Sequence, residues 1–272
     1  MELLKTPNKG ARLGDILHIG ANVLFVCAIA LCVFVLQLPL VALVLAFLSK
    51  WRILAVRPRY WSVNLRTNLL DLLFVISVTL LIINPFASFY ASLFWTFMLA
   101  LWLLVIKPRS TRMMMGLQAG VMQFVALTAL SLYVDMGIKI SQLYVLVLIL
   151  GAWIIGYAVA RHIATSFDDE SKIEFFGFVW GSIVAQLVWL FSHWMFVYRI
   201  TPGLEIPQIA LIMLLLAFVA QRVYGAQRLL VHDERARKAT TKQQLRSLYV
   251  AAGLAGALLI VVLGTTSWSA AI

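Results

Sequence analysis

The chain has 272 residues, of which 63% are hydrophobic and 12% charged, and its mean hydropathy is +0.96. Soluble domains run nearer about 45–50% apolar and 25% charged, so the composition excludes an ordinary soluble enzyme, a disordered chain and a coiled coil, and leaves a multi-pass membrane protein. The net charge of +11 comes from 22 Lys and Arg against 11 Asp and Glu. In a soluble domain that excess would point to nucleic acid, but here the charges lie between apolar runs and read as membrane topology, with no nucleic-acid partner.

A spanning helix needs roughly 20 apolar residues to cross a core of about 30 Å. Nine runs qualify as expected spans, at 16–36, 38–56, 68–83, 86–106, 113–134, 140–160, 175–198, 208–224 and 248–268. Lipid offers the backbone no hydrogen-bond partner, which favours helices, and runs such as 143–150 lack the alternation of a transmembrane barrel. The first run holds both cysteines, Cys27 and Cys32, five apart on a helix and pointing in different directions, so both read as small apolar residues. No A-x-A site follows this run, and it is not read as a cleaved signal.

With the N-terminus inside, 20 of the 22 basic residues fall on inner segments: Lys5, Lys9 and Arg12; Lys50, Arg52, Arg57, Arg59 and Arg66; Lys107, Arg109 and Arg112; Arg161 and Lys172; and seven between Arg222 and Arg246. Only Lys139 and Arg199 fall outside. Because one miscounted span would invert everything after it, this asymmetry fixes the expectation: an all-α polytopic transmembrane helix bundle of about nine helices, N-terminus inside and C-terminus outside. The whole chain, 1–272, reads as a single integral membrane domain.

Local signals set several boundaries. Gln37–Pro39 and Asn84-Pro85 read as tight outer turns, and 201–207 as a longer outer loop. Asn68-x-x-Asp71 and Ser171-x-x-Glu174 read as capping boxes before apolar runs. The second run is interrupted by Lys50 and Arg52. Either their stems snorkel to the inner headgroups, or the first two runs form a re-entrant hairpin and the count falls to seven. A faint repeat, 16–59 and 68–109, gives each half an outer Pro and an inner apolar-basic-Pro-Arg stop, at Val56–Arg59 and Ile106–Arg109.

Ionisable and amide groups within apolar runs are the default functional candidates. Asp71 is read either as a buried ion-pair partner of Lys50 or Arg52 or as a helix cap on the positive end of the dipole. His193 lies near Arg199 without an acidic partner at similar depth. Asn22, Gln118, Gln123 and Gln186 either glue helices together or line a polar path. Gly116-x-x-x-Gly120 and Gly177-x-x-x-Gly181 permit close helix approach. Asp168-Asp169-Glu170 reads as a solvated loop, and the basic stretch 225–246 as a candidate surface for anionic lipid. No zinc spacing, P-loop, nucleophile elbow or carboxylate pair occurs, so no metal, cofactor or catalytic residue is assigned.

The stretch Lys50-Trp-Arg-Ile-Leu-Ala-Val-Arg-Pro-Arg-Tyr-Trp61, followed by Asn64-Leu-Arg66-x-Asn68-x-x-Asp71, resembles uncharacterised multi-pass membrane proteins of Saccharibacteria-type candidate-phylum bacteria. The resemblance implies a bacterial cytoplasmic membrane and carries over no activity and no catalytic residue. Two functions follow from the residues themselves. One is a transporter-like or solute-binding protein with a polar path among helices one, three, five and seven. The other is a non-catalytic scaffold or accessory subunit whose basic inner face binds anionic headgroups or a partner, including a second copy of the chain.

Overall fold

The computed structural model describes residues 9–53, 55–109, 111–137, 143–167, 171–193, 196–202, 204–232 and 240–264. Among them are nine α-helices and one β-hairpin. α1 (Lys9–Ala30) runs on through a π-helical turn at Leu31–Val35 and reverses at Gln37, a non-glycine residue in the left-handed region at φ 54°. α2 (Pro39–Leu48) starts on proline, whose fixed φ suits a first helical position. Two 3₁₀ turns, at Trp51–Ile53 and Pro58–Tyr60, lead into α3 (Trp61–Ile82). The Asn84 Oδ1 accepts from the Phe86 N–H at 3.0 Å and closes the next turn. Ser88 then caps α4 (Phe89–Leu101), its Oγ accepting from the Ala91 N–H at 3.2 Å. α4 continues through a second π-helical turn, Trp102–Ile106. After it come α5 (Arg112–Gly137), α6 (Leu143–Ala164), α7 (Ile173–Ser192), the antiparallel pair β1 (Val197–Thr201) and β2 (Leu204–Pro207), α8 (Gln208–His232) and α9 (Thr240–Gly264).

Six helices are long and apolar enough to cross a membrane: Pro58–Ile82, Phe89–Ile106, Arg112–Val134, Tyr144–Ala164, Ile173–Ser192 and Gln208–Gly225. The fold is therefore an all-α bundle built as a multi-pass membrane protein is built. Its outer surface agrees. Leu24, Phe97, Phe178 and Ile260 are each more than half exposed, a surface suited to lipid and a liability in water. Three of the nine expected spans fall short of that measure among the described residues, Ile19–Val35, Pro39–Leu48 and Leu248–Gly264, and α2 is the shortest. At ten residues it covers about 15 Å, half of a hydrocarbon core.

The helices alternate in direction, and side-chain contacts show which ends lie together. At one end Arg66 and Arg161 meet Glu174, Arg112 Nε donates to the Ser166 carbonyl, and Tyr224 packs on Phe167 and Phe176. This end gathers the first turns of α3, α5 and α7 and the last turns of α4 and α6. We call it the basic end. At the far end Phe34 packs edge-on to Phe89, the Ser88 N–H donates to the Pro202 carbonyl, and Gln208 Nε2 donates to the Val262 carbonyl.

Glycines set the closest helix contacts. A Cβ built on Gly156 of α6 would lie 2.9 Å from the Gly181 Cα of α7, and one on Gly181 would lie 2.9 Å from the Trp153 carbonyl oxygen. Gly177 lies under the Tyr157 ring. The Gly177–Gly181 motif thus joins α6 and α7 backbone to backbone within one chain. Gly116 and Gly120 of α5 instead receive side chains of α8, those of Gln221 and Leu214.

Several sequence expectations are corrected. Asn68 and Asp71 do not begin a helix: α3 starts ten residues before Asp71, and the Asn68 amide donates to the Asn64 carbonyl of the preceding turn. The polar run Ser62–Asn68 continues the helix beyond its apolar part. Ser171 does not cap α7, whose N-cap is Lys172 without a side-chain cap, and Glu174 turns instead to Tyr157, Arg161 and Arg66. The seventh helix ends at Ser192 rather than at 198, and the expected loop 201–207 belongs to the β-hairpin. The acidic run at 168–170, Lys139 and residues 233–239 of the basic stretch 225–246 lie outside the described residues.

Candidate functional site

The short α2 decides where the site forms. Because the helix stops after ten residues, its C-terminal turn lies level with the middle of α3 and not with its start. Lys50, just past that turn, reaches Asp71, and the two side chains form a close ion pair. From the other side Lys107, one residue beyond the π-helical turn of α4, brings its Nζ to 2.7 Å from the same Asp71 Oδ2. The second carboxylate oxygen, Oδ1, accepts from Trp102 Nε1 at 2.7 Å. Trp102 is itself fixed by stacking on Phe74, with ring centroids 3.8 Å apart and planes 12° from parallel. Wide π turns occur frequently at functional sites, and this one places Trp102 on Asp71 and Lys107 at its end.

Asp71 is 9% exposed, so its charge is stable there only because it is paired and hydrogen-bonded. The charges are unequal. Among the described residues two ammonium groups share one carboxylate, which leaves one positive charge in excess at a site largely withdrawn from water. Beside it lies a cavity of about 250 Å³ that both lysines line, together with Asn22 and Phe25 of α1, Ser49, and Trp51 at the exposed rim. The Ser49 Oγ is buried there without a hydrogen-bond partner among the described residues. Deeper in the bundle the walls become apolar, at Val75 and Leu103.

The other expected residues fall elsewhere. Gln118 is a buried clamp. Its Nε2 donates to the Ile106 and Arg109 carbonyls at 2.8 Å each, which closes the end of the α4 π turn. Its Oε1 lies 2.9 Å from His162 Nε2 of α6. Gln123 is fully buried; its Nε2 donates to the Met213 carbonyl of α8 at 3.2 Å, and its Oε1 has no partner among the described residues. Gln186 is exposed on α7. His193 is exposed at the end of α7, with Nδ1 2.9 Å from the Trp189 carbonyl. The Arg52 side chain lies outside the described residues. Among the described residues the structure brings Asn22, Lys50 and Asp71 to one place, sets Gln118 beside it on the Lys107 backbone, and leaves Gln123, Gln186 and His193 apart from it.

Sequence reasoning missed Lys107, Trp102, Ser49 and His162. Lys107 was visible only as a topological charge, and the 35 positions between it and Asp71 carry no periodic signal that would pair them. Among the described residues no group of three or more His, Cys, Asp or Glu is placed to hold a metal ion. No family model, curated protein or solved structure matches the chain.

Proposed function

We propose that the chain is a multi-pass protein of a bacterial cytoplasmic membrane, with its basic end in the cytoplasm, that binds a small anionic solute in the cavity between Lys50 and Lys107. One observation carries this reading: two ammonium groups converge on a single carboxylate beside a cavity that both of them line. An anionic group entering the cavity balances the surplus charge, accepts a hydrogen bond from each lysine ammonium and satisfies the Ser49 hydroxyl. Phosphate and carboxylate groups share that chemistry. Exposed Arg57, Arg59 and Arg109 lie on segments flanking the site and raise the local concentration of anions.

The test is calorimetric titration of the purified full chain with inorganic phosphate and with short carboxylates, repeated on Lys50→Gln and Lys107→Gln. Each variant keeps one lysine on Asp71. Saturable binding to the parent chain that weakens about tenfold or more in either variant is expected, since a hydrogen bond to a charged group is worth about 1.5–3 kcal/mol. Equal binding by all three, or none by the parent, refutes it. Binding of phosphatidylglycerol vesicles without binding of free phosphate assigns the anion to a lipid headgroup and supports the scaffold role over the solute-binding one.

A further inference from the structure

A second cleft, separate from the lysine site, lies where α6, α7 and α8 diverge. α6 and α7 are drawn together by Gly156, Gly177 and Gly181, while Tyr224 of α8 meets Phe176 and Phe167 near the basic end. Between them small side chains, Ala160 and Ala164 on α6 and Ala217 and Ala220 on α8, leave a volume of about 230 Å³. That exceeds the roughly 150 Å³ of an apolar hole that takes up benzene. The walls are almost wholly apolar, and water has few partners there. Besides the half-buried Gln221 and Tyr224, whose side chains end in polar groups, one buried donor interrupts these walls. Trp180 Nε1 lines the cleft and is buried without an acceptor among the described residues. An indole N–H withdrawn from water normally finds a partner. The cleft thus asks for an apolar chain that carries one hydrogen-bond acceptor.

We infer that this cleft holds an acyl chain of a membrane glycerolipid, whose ester carbonyl accepts from Trp180 Nε1. The bilayer supplies such a molecule at high concentration along the length of all three helices. The register suits it. Trp180 lies seven residues into α7, about 10 Å from the helix start, and helical side chains lean back toward the N-terminus. The indole therefore lies toward the basic end, where the ester groups of that leaflet are found. Tyr224, with its ring in the Phe167 and Phe176 cluster, lines the cleft on that side.

The full chain is reconstituted in phosphatidylethanolamine and phosphatidylglycerol vesicles that contain a trace of phosphatidylcholine with a diazirine on one acyl chain. After irradiation the adducts are mapped by peptide mass spectrometry. Adducts are expected to concentrate on segments 160–164 and 217–224, above the level on the lipid-exposed face of α9 at 254–261. Trp180→Phe removes the donor and keeps the shape, and lowers the yield at the cleft roughly fivefold, the equivalent of one hydrogen bond. Ala220→Phe fills the cleft and lowers it tenfold or more, with α9 labelling unchanged in both variants. Labelling spread evenly over all exposed helices overturns the inference from the parent chain alone, whether or not the variants fold. Unchanged cleft labelling in both variants also overturns it, as does a stoichiometric isoprenoid quinone extracted from the purified protein.

Discussion

Replacing Asp71 with Asn tests the energetics of the lysine pair most sharply. The substitution keeps the shape of the side chain and leaves Oδ1 able to accept from Trp102 Nε1, so no cavity and no orphaned indole complicate the result. It removes the one carboxylate that pairs with Lys50 and Lys107 among the described residues, and the two lysines then face each other across a withdrawn site. Breaking a buried ion pair costs about 3–5 kcal/mol. The lysine side chains are 16% and 29% exposed and are able to swing toward water at the basic end, so the loss should fall near the lower limit, about 3 kcal/mol. For a chain of this size that lowers the melting temperature by about 6–12 °C, measured by thermal unfolding in one detergent at fixed protein concentration. Lys50→Met and Lys107→Met each leave one lysine on Asp71 and should lose less. The triple variant that combines both with Asp71→Asn, which removes all three charges and keeps an acceptor for Trp102 Nε1, should recover most of the parent stability. A melting temperature for Asp71→Asn within about 1 °C of the parent would refute the reasoning, because it would mean that the charges are not coupled.

Two comparisons test the packing. Gly156→Ala should destabilise by about 1–3 kcal/mol in the same melting assay, because its Cβ meets Gly181 Cα and Val184. Gly253→Ala on α9 meets nothing within 4 Å and should be neutral or stabilising by up to about 1 kcal/mol through helix propensity. Gln118→Leu removes the side-chain bonds to the Ile106 and Arg109 carbonyls and to His162 and should cost about 2 kcal/mol or more. Gln123→Leu removes a single interhelical bond and should cost about 0.6 kcal/mol, and Gln186→Leu, on the exposed face of α7, should cost nothing measurable.

The long helices were legible because lipid imposes one rule on every stretch of backbone, and runs of that length have few other solutions. The places where reading failed are places where a helix extends into polar sequence. Ser62–Asn68 looks like a cap region, and only the contacts of Asp71 show that α3 has already made ten residues. The end of α2 fails for the same reason in reverse: Ile53 and Val56 continue the apolar character, but the chain has already turned at Ser49. The β-hairpin left a usable trace in Val197-Tyr-Arg-Ile-Thr201 followed by Pro202-Gly203, β-branched and aromatic residues before a turn signal, masked by the apolar helix on either side. Of the candidate site, sequence showed Asn22, Lys50 and Asp71 as exceptional residues in apolar surroundings. It carried no sign of Lys107, because a lysine at the end of a spanning helix is what topology alone demands.

The direct measurement of the central claim is a structure of the full chain determined from crystals soaked in selenate, with the anomalous signal of selenium used to locate the anion. The account predicts a peak in the cavity beside Asp71, within hydrogen-bond distance of Lys50 Nζ, Lys107 Nζ or Ser49 Oγ, and its disappearance in Lys107→Gln. Anomalous peaks confined to the exposed arginines, with the cavity empty at saturating selenate, would contradict it.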